Sequence, residues 1–372
     1  MKVLFYYPIH FCRNGNSLPE FIIPMVDSLL KFEVDFMCIE ESINLRDFRF
    51  KSSKNIYSFL FCHYCILFFR KVVPLSFFSS FELREQFIGR ILKIVTLNFF
   101  KADTIITLSN SMGGFWRGYN KNATIIDYQH GLVDSTQPGY FRNSSQPTDC
   151  VKINNKFIAV WGDKFNQIFY NNSEYYKDKV FTIGYFNKTH SNIIVKDLVI
   201  NRIKILFSLQ FTPSMSSVRN KTMLEVICSN LSELSKLPTT PMVYLRPHPR
   251  HDSIIQYEYL ASKYKFVFID LGLLNPSKYD FHFTFHSTVA IDMAIAGVPT
   301  YFYKSDLFPE AQQIFFEEYD YPVFNKETLC EELIYYSNNP KEYKSNSRKL
   351  SVWGNTFYQE FNQQEFLRMI KQ

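Results

Sequence analysis

The stretch DFHFTFHSTVAIDMAIAGVP, residues 280–299, predicts a strand that runs directly into a helix. Polar and apolar residues alternate over 282–285, which is typical of a strand, and residues 289–296 have helical spacing and are closed by Gly297. A strand followed by a helix is the repeating unit of a mainly parallel sheet. The stretch therefore predicts an α/β fold.

Outward from it, short apolar runs alternate with longer helical patterns along the chain. In the first half we predict strands at residues 3–7, 34–39, 104–108, 124–128, 157–161 and 180–184, and helices at 18–32 and 81–99. After the polar stretch 187–192 we predict strands at 203–208, 242–245, 266–269, 282–285 and 300–303, and helices at 219–237, 254–264 and 289–296. We therefore predict two Rossmann-like domains, at 1–190 and 191–350, and a last segment at 351–372.

The composition of the 372 residues limits the classes of protein to consider. With 46% hydrophobic and 20% charged residues, the chain can bury two cores, which excludes a disordered protein or a coiled-coil rod. Its net charge of +6 includes no long basic run, so nucleic acid is not an expected partner. A modest basic excess suits anionic ligands such as nucleotide diphosphates, or weak attachment to an anionic membrane.

Cysteines and apolar runs bear on the cellular compartment. The seven scattered cysteines fit reduced thiols in a cytoplasm better than a disulfide framework. Cys62 and Cys65 have CxxC spacing, but their apolar neighbours favour buried thiols in a helix over a zinc or redox site. The run at residues 3–7 has no cleavage site after it, so we expect a strand and not a signal peptide. Residues 56–69 are fewer than the ~20 that span a bilayer, so we expect no transmembrane helix.

Polar residues follow the strand of the opening stretch. Ligands of open α/β sheets bind at the carboxyl ends of the strands. His286, Ser287 and Thr288 stand there, and hydroxyls with free N–H groups at a helix start suit an anion. Asp292, about one helical turn further on, suits the hydroxyls of a ribose. The alternative is an ordinary Ser/Thr helix cap with a surface aspartate.

A second cluster is YLRPHPRHD, residues 244–252. Two prolines hold an extended exit from a strand, so Arg246, His248 and Arg250 project within a short arc. Cationic and donor side chains at this density suit a phosphate or a nucleotide. The alternative is a solvated basic turn.

A weaker candidate is FSLQFTPS, residues 207–214, after the first strand of the second half. Ser208 and Gln210 have a hydroxyl and an amide that could reach phosphates. A plain polar loop fits the same residues equally well.

In the first half, DYQHGLVD at residues 127–134 places His130 between Asp127 and Asp134. An imidazole beside carboxylates can act as a general base, because its pKa lies near the working pH. The alternative is a histidine that caps the end of a strand. His10, in the first loop after a strand, is a further candidate base. The chain has neither GxGxxG nor GxxxxGK[ST], so a standard dinucleotide site and a P-loop are unsupported.

Three motifs, QHG at 129–131, RPHP at 246–249 and HST followed by VAIDMAIAGVP at 286–299, resemble the GT-B glycosyltransferases of bacterial surface polysaccharide synthesis. The resemblance implies two Rossmann-like domains that face each other across a cleft. It implies that the second domain binds the nucleotide sugar, and that a C-terminal helix, matched by residues 352–370, returns to the first domain.

Within that resemblance, an HP motif followed by a Ser/Thr pair is similar to the motifs of bacterial sialyltransferases, Kdo transferases and glycerophosphotransferases, which use CMP- or CDP-linked donors. His248 with Pro249, and Ser287 with Thr288, match it, but the acidic-acidic-Gly motif of sialyltransferases is not evident. Related UDP-sugar enzymes hold the ribose with a Glu where this chain has Asp292. UDP-GlcNAc 2-epimerases share the architecture, but their His-x-Glu-Ala-Gly segment is replaced by QHG.

We therefore predict a metal-independent glycosyltransferase without a cofactor, which moves a sugar from a CMP- or UDP-linked donor to a hydroxyl of an O-antigen, capsule or lipopolysaccharide glycan. The sequence has no DxD-like cluster at a predicted strand end, which argues against a metal-bridged site. Arg246, His248 and the helix start at Ser287 and Thr288 would neutralise the departing phosphate, and His130 or a nearby carboxylate would take the acceptor's proton. The alternatives are a nucleotide-sugar 2-epimerase and a non-catalytic scaffold that binds a sugar or a partner.

A lipid-linked acceptor would bring a cytoplasmic enzyme to the inner face of the inner membrane. Residues 56–78 are rich in aromatics beside Arg70 and Lys71, a composition that favours the membrane interface. A buried helix and loop of the first domain is an equal alternative.

Overall fold

The chain forms two compact units in the computed structural model, which describes residues 1–12, 18–41, 55–108, 110, 112–143, 145–186, 192–199, 203–209, 211, 217–248, 255–309 and 312–372. The first unit comprises Met1–Ser191 and Tyr358–Gln372, and the second comprises Asn192–Phe357. The chain therefore leaves the first unit and returns to it at the end. Most of the predicted polar linker, residues 187–191, lies outside the described residues.

The first unit is built on a parallel sheet. Its strands in the described residues are β1 (Lys2–Pro8), β2 (Asp35–Glu41), β3 (Ile56–Ser58), β4 (Thr104–Leu108), β5 (Thr124–Tyr128), β6 (Phe141–Arg142), β7 (Gln146–Pro147), β8 (Lys156–Val160) and β9 (Val180–Thr182). The sheet order is β3-β2-β1-β4-β5-β8-β9, while β6 and β7 pair with each other in antiparallel fashion. Residues 3–7 of β1 are wholly buried, as expected for a parallel strand covered on both faces.

Helices cover this sheet. Those of the first 191 residues are α1 (Ile23–Lys31), α2 (Leu60–Val72), α3 (Phe81–Val95), α4 (Gly113–Tyr119), α5 (Asp149–Ile153) and α6 (Asp163–Asn172). The backbones of α3 and α4 approach so closely that a Cβ added to Gly118 would lie 1.9 Å from the carbonyl oxygen of Gln86. The close approach therefore requires glycine at this position. The close approach brings Ile88, Phe115 and Trp116 into one buried cluster with β1.

The second unit repeats the plan with a smaller sheet. Its strands are β10 (Lys204–Ser208), β11 (Met242–Arg246), β12 (Val267–Ile269), β13 (Phe281–Thr284) and β14 (Thr300–Phe302). Its helices in the described residues are α7 (Ser217–Leu234), α8 (Ile255–Lys263), α9 (Val289–Ile295), α10 (Leu329–Asn338) and α11 (Pro340–Phe357), and Gln312–Glu318 is π-helical. The order β12-β11-β10-β13-β14 is parallel throughout. The strand order reverses between β10 and β13, the position where ligands of open sheets bind.

The stretch that predicts the fold forms β13 and α9. Each lies within one residue of the predicted bounds. Gly297 follows α9 with φ +71°, the left-handed conformation that glycine adopts readily. A Cβ at this position would also lie 2.3 Å from the Ser347 hydroxyl on α11, so only glycine fits.

The predicted last segment, residues 352–370, differs from the structure. It divides between the end of α11 and a separate helix, α12 (Gln363–Ile370), in the first unit. Between them the backbone bonds to the chain after β9: Tyr185 N–H donates to Gln359 O at 2.8 Å, and Asn362 N–H donates to Ile183 O at 2.8 Å. The Asn362 side chain then caps α12 by accepting the Glu365 N–H at 3.0 Å. These pairings break the helical pattern, and only tertiary structure reveals them.

The prediction of an α/β fold with two parallel-sheet domains is confirmed. Among the described residues, no helix is both long enough and apolar enough to cross a lipid bilayer.

Candidate functional site

In the first unit, Gln129 holds the turn that follows β5. Its side chain is buried, its Oε1 accepts the Trp161 N–H at 3.0 Å, and its Nε2 donates to Gly131 O at 2.8 Å. The amide thus ties the end of β5 to the end of the neighbouring β8. This fixes the backbone on both sides of His130.

The His130 side chain, after β5, lies close to residues that follow β1. Its ring meets that of Phe11 edge to face at 5.7 Å, and Phe11 lies in a short 3₁₀ turn, Ile9–Phe11, directly after β1. The rings of His10 and Phe11 are 4.5 Å apart, so the fold brings His10 and His130 to one edge of the sheet. His10 is exposed and His130 is half-buried. A Cβ at Gly131 would meet no atom within 4 Å, so the turn leaves open space beside His130.

Asp127 is wholly buried at the end of β5. Its carboxylate accepts the Asn110 N–H at 2.6 Å, the Thr107 hydroxyl at 3.1 Å and the Tyr140 hydroxyl. Burial, and then the charge of Asp127, raise the pKa of the Tyr140 hydroxyl, so it remains a donor. The structure places this predicted catalytic carboxylate where it fastens two loops to the sheet.

Asp134 shapes the loop after His130. Its Oδ1 accepts both the backbone N–H of Thr136 at 2.8 Å and the Thr136 hydroxyl at 2.5 Å. This is the turn that a short carboxylate makes with its own backbone. Asp134 is 8% exposed, so its role in the described structure is to set the path of the loop.

Sequence reasoning missed a buried polar network beneath this edge. The wholly buried Lys156 donates to the Asn110 side chain and, at 3.3 Å, to Cys150 Sγ. Asn154 Nδ2 donates to Glu82 Oε2 at 2.5 Å and to Cys150 O at 2.8 Å. Burial raises the pKa of the Cys150 thiol. The network joins the segment 150–156 to the distant Glu82 and Asn110, so no local motif signals it.

In the second unit, Ser208 lies at the reversal of strand order. It ends β10 and is 5% exposed, and its carbonyl oxygen accepts the Thr284 hydroxyl of β13 at 2.9 Å. Within the described residues its own hydroxyl has no hydrogen-bond partner. An unpaired buried hydroxyl costs free energy, so a ligand oxygen placed there would satisfy it.

The helix start after β13 is partly occupied by the chain itself. Thr284 Oγ1 accepts the Ser287 N–H at 3.1 Å, and Ser287 Oγ accepts the Val289 N–H at 3.3 Å. Ser287 is buried and acts as a cap, whereas Thr288 is exposed. The expected pair of ligand hydroxyls therefore divides into a structural one and an accessible one.

Arg246 at the end of β11 forms an ion pair that the sequence analysis did not foresee. Its Nη1 donates to Asp270 Oδ2 at 2.8 Å, and the Tyr279 hydroxyl donates to the same oxygen at 2.7 Å. Burial, and then the hydrogen bond to Asp270, raise the pKa of Tyr279. Asp270 directly follows β12, so the rule that found Arg246 at a strand end could have found it too. The pair orients the guanidinium and offsets part of its charge.

A cavity of about 230 Å³ lies beside these strand ends, after β14. It is lined by Phe302, Tyr303, Lys304, Ser305, Asp306, Phe308, Pro309 and Phe316. The ring of His286 faces that of Phe308 at 6.4 Å, and the Arg219 guanidinium lies 4.7 Å from the same ring. Phe308 therefore links the cavity to the residues that follow β13.

The remaining predicted binding residues are placed less closely. His248, which follows β11, and Asp292, on α9, are both half-buried. Gln210 and Arg250 lie outside the described residues. Among the residues described, no group of three or more His, Cys, Asp or Glu side chains is placed to hold a metal ion.

No protein-family model and no curated protein matches the chain. Solved structures do match it along its whole length. The UDP-GlcNAc 2-epimerase from Neisseria meningitidis, bound to UDP-GlcNAc, has a TM-score of 0.54 at 12% identity, and the match covers 100% of both chains. The wall teichoic acid polymerase TagF, soaked with CDPG, has a TM-score of 0.53 at 13% identity over 100% of this chain and 87% of that one.

The sucrose-phosphate synthase from Thermosynechococcus elongatus has a TM-score of 0.52 at 10% identity, over 100% of this chain and 98% of that one. Identities this low show a shared fold. That fold agrees with the two parallel-sheet units described above.

Proposed function

We propose that the protein is a metal-independent glycosyltransferase that takes a sugar from a nucleotide-linked donor and attaches it to an acceptor hydroxyl. The observation that carries the proposal is the buried hydroxyl of Ser208, at the reversal of strand order in the second unit, which has no hydrogen-bond partner among the residues that the structure describes. Arg246 stands at the next strand end on one side and His286 on the other. A hydroxyl, a guanidinium and an imidazole together suit the phosphates of a nucleotide.

Each donor-binding residue has a part in this proposal. Ser208 donates to a phosphate oxygen, and Arg246, held by Asp270, donates through its remaining N–H groups. His248, His286 and the exposed hydroxyl of Thr288 complete the phosphate contacts, and Ser287 caps the helix that presents Thr288. Asp292 accepts from the ribose. Gln210 and Arg250 stay in the proposed set on their sequence positions alone.

The reaction joins the acceptor oxygen to the sugar's anomeric carbon as the bond from that carbon to the nucleotide phosphate breaks. The phosphate leaves with the electron pair, so cations and donors around it lower the barrier. The proton of the acceptor hydroxyl passes to a general base, for which we propose His130. Asp127 already accepts three donors and Asp134 two, while His130 is half-buried beside open space. His10 is the second choice because it lies at the same edge.

We further propose that the acceptor is a bacterial surface glycan, of O-antigen, capsule or lipopolysaccharide type, assembled on a lipid carrier at the cytoplasmic face of the inner membrane. The support for this setting is the resemblance of the QHG, RPHP and HST motifs. The donor nucleotide is CMP- or UDP-based on the same ground.

A nucleotide-sugar 2-epimerase is the second candidate, favoured by the full-length fold likeness to an enzyme of that name. An epimerase acts on its nucleotide sugar without an acceptor, whereas a transferase releases nucleotide when an acceptor is present. QHG at 129–131 offers no carboxylate in place of the Glu of the epimerase motif. A non-catalytic scaffold would release no nucleotide under either condition.

A nucleotide panel followed by an acceptor panel tests the proposal. UDP, GDP, CMP and CDP are compared for their effect on thermal unfolding, where a ligand at a hundred times its Kd stabilises by about 2.7 kcal/mol. Nucleotide release from the matching sugar donor is then measured with and without glycan acceptors. We expect one nucleotide to stabilise the protein and release to require an acceptor. Release of UDP with epimerised sugar and no acceptor would establish the second candidate instead.

A further inference from the structure

Helix α2 is apolar on two opposite faces. Leu60, Cys62 and Ile66 are buried in the core of the first unit. A second set, Phe61, Tyr64, Phe68 and Val72, is exposed. The spacing of these four residues, three or four apart, places them on one outward stripe of the helix. A helix that is apolar all round normally lies inside a protein, yet this stripe faces away from the core.

Further exposed apolar residues follow the end of α2 in the chain. In the 3₁₀ turn Leu75–Phe77, Leu75 is exposed and Phe77 is 77% exposed. Phe81, at the start of α3, lies under the guanidinium groups of Arg70 and Arg84, at 5.5 and 5.0 Å. We define the α2 surface as Phe61, Tyr64, Phe68, Val72, Leu75 and Phe77. Contiguous exposed apolar residues of this kind mark an interaction site.

The charged residues of the segment that carries the α2 surface are mostly basic. Residues 55–101 contain two acidic residues, and both are buried: Glu85 pairs with Arg70 at 2.7 Å and with Arg84 at 3.4 Å, and Glu82 accepts from Asn154. The same segment carries six basic residues, which are Arg70, Lys71, Arg84, Arg90, Lys93 and Lys101. Lys71, Arg90 and Lys101 are exposed. Within residues 55–101, exposed aromatics are therefore accompanied by exposed positive charge, while both acidic residues are buried; a carboxylate that contacts α2 from outside this segment is that of Glu41, 3.9 Å from His63.

We propose that the α2 surface docks the protein on an anionic phospholipid bilayer, with α2 in the plane of the interface. Aromatic and aliphatic side chains of an amphipathic helix enter the boundary between headgroups and acyl chains, and neighbouring Lys and Arg attract anionic headgroups. A symmetric dimer through the same surface would bring two positive surfaces together, which disfavours a second copy as the occupant. The proposal stands independently of the enzyme activity proposed above.

Vesicle sedimentation tests this proposal with the full chain. Binding is compared between vesicles made of an equal mixture of phosphatidylglycerol and phosphatidylcholine and vesicles of phosphatidylcholine alone. We expect tight binding to the anionic vesicles only, and release at high salt. Each Lys or Arg near an anionic surface adds about fivefold to binding, so Lys71→Gln with Arg90→Gln is expected to weaken it roughly 25-fold.

A triple variant, Phe61→Ser with Phe68→Ser and Phe77→Ser, removes the apolar part and is expected to weaken binding at least ~10-fold. The matched control, Leu271→Ser with Leu273→Ser and Phe324→Ser, removes three exposed apolar side chains of the second unit and is expected to bind as the wild type does. Circular dichroism checks that both variants fold. If the triple variant of the α2 surface does not fold, the single variant Phe68→Ser is tested in its place.

Absent binding to anionic vesicles, or equal losses in the triple variant and its control, would overturn the proposal. A dimer in light scattering that the triple variant converts to a monomer would assign the surface to a second copy and would overturn it as well.

Discussion

The two sheets end in polar edges of opposite character. At the edge of the first unit, Asp127 accepts three donors, and the Gln129 amide donates one hydrogen bond and accepts another. The hydrogen bonds that hold the backbone around His130 are therefore formed within the chain itself. At the edge of the second unit, the buried hydroxyl of Ser208 has no partner within the described residues. The first edge therefore satisfies its own polar groups and holds a turn in place, whereas the second leaves a buried donor that we propose a ligand satisfies.

Loss of the Asp127 carboxylate is expected to have the largest effect at the edge of the first unit. Asp127→Ala would leave the Asn110 N–H and the Thr107 and Tyr140 hydroxyls buried without their acceptor. We expect a loss of ~3 to 5 kcal/mol in the free energy of unfolding, as for a buried charged group removed from its partners. Urea unfolding measures it. Asp134→Ala, which breaks only a local turn, serves as the control and should cost roughly 1 kcal/mol; equal losses would mean that Asp127 is no special anchor.

His130→Ala removes the imidazole but keeps the hydrogen bonds of Asp127 and Gln129 that hold the turn around it. Removal of a general base lowers turnover by ~10² or more, while the fold and nucleotide affinity stay near those of the wild type. Acceptor-dependent nucleotide release and a binding titration measure the two quantities. His10→Ala is the matched control from the same edge. If His130→Ala retained turnover and His10→Ala lost it, the base would be His10.

Acid should weaken the second unit through its core. His282 on β13 is wholly buried, its Nδ1 lies 3.0 Å from Thr300 Oγ1, and burial lowers its pKa from 6.5 to about 3. The unfolded chain therefore binds the proton more readily, so stability falls as the pH drops below 6.5. The loss from this group at pH 5 is about 2 kcal/mol relative to neutral pH.

His282→Gln keeps a polar group near Thr300 but does not titrate. We expect its unfolding free energy to fall about 2 kcal/mol less than that of the wild type between pH 7 and pH 5, in parallel urea titrations. Curves that fall equally would show that His282 is not the acid-sensitive group.

The sequence allowed the strands and their polar ends to be predicted, because short buried strands of parallel sheets appear as continuous apolar runs. It did not reveal the two-residue strands β6 and β7. It did not reveal β3 either, since Ile56–Ser58 merges with the apolar helix that follows. The pairing of Arg246 with Asp270 was hidden because it depends on the register of β11 against β12, where Leu245 lies opposite Ile269. The break before α12 was hidden because backbone bonds to distant residues cause it.

A calorimetric titration of UDP, GDP, CMP and CDP into the wild type and into Ser208→Ala tests whether the second unit binds a nucleotide at Ser208. We expect one nucleotide to bind the wild type. Ser208→Ala should weaken that binding by about 1 kcal/mol, roughly fivefold, without loss of stability, because it removes a hydroxyl that has no partner among the described residues and that we propose donates to the ligand. Equal affinity of that nucleotide for the two proteins, or no binding of any of the four, would contradict it.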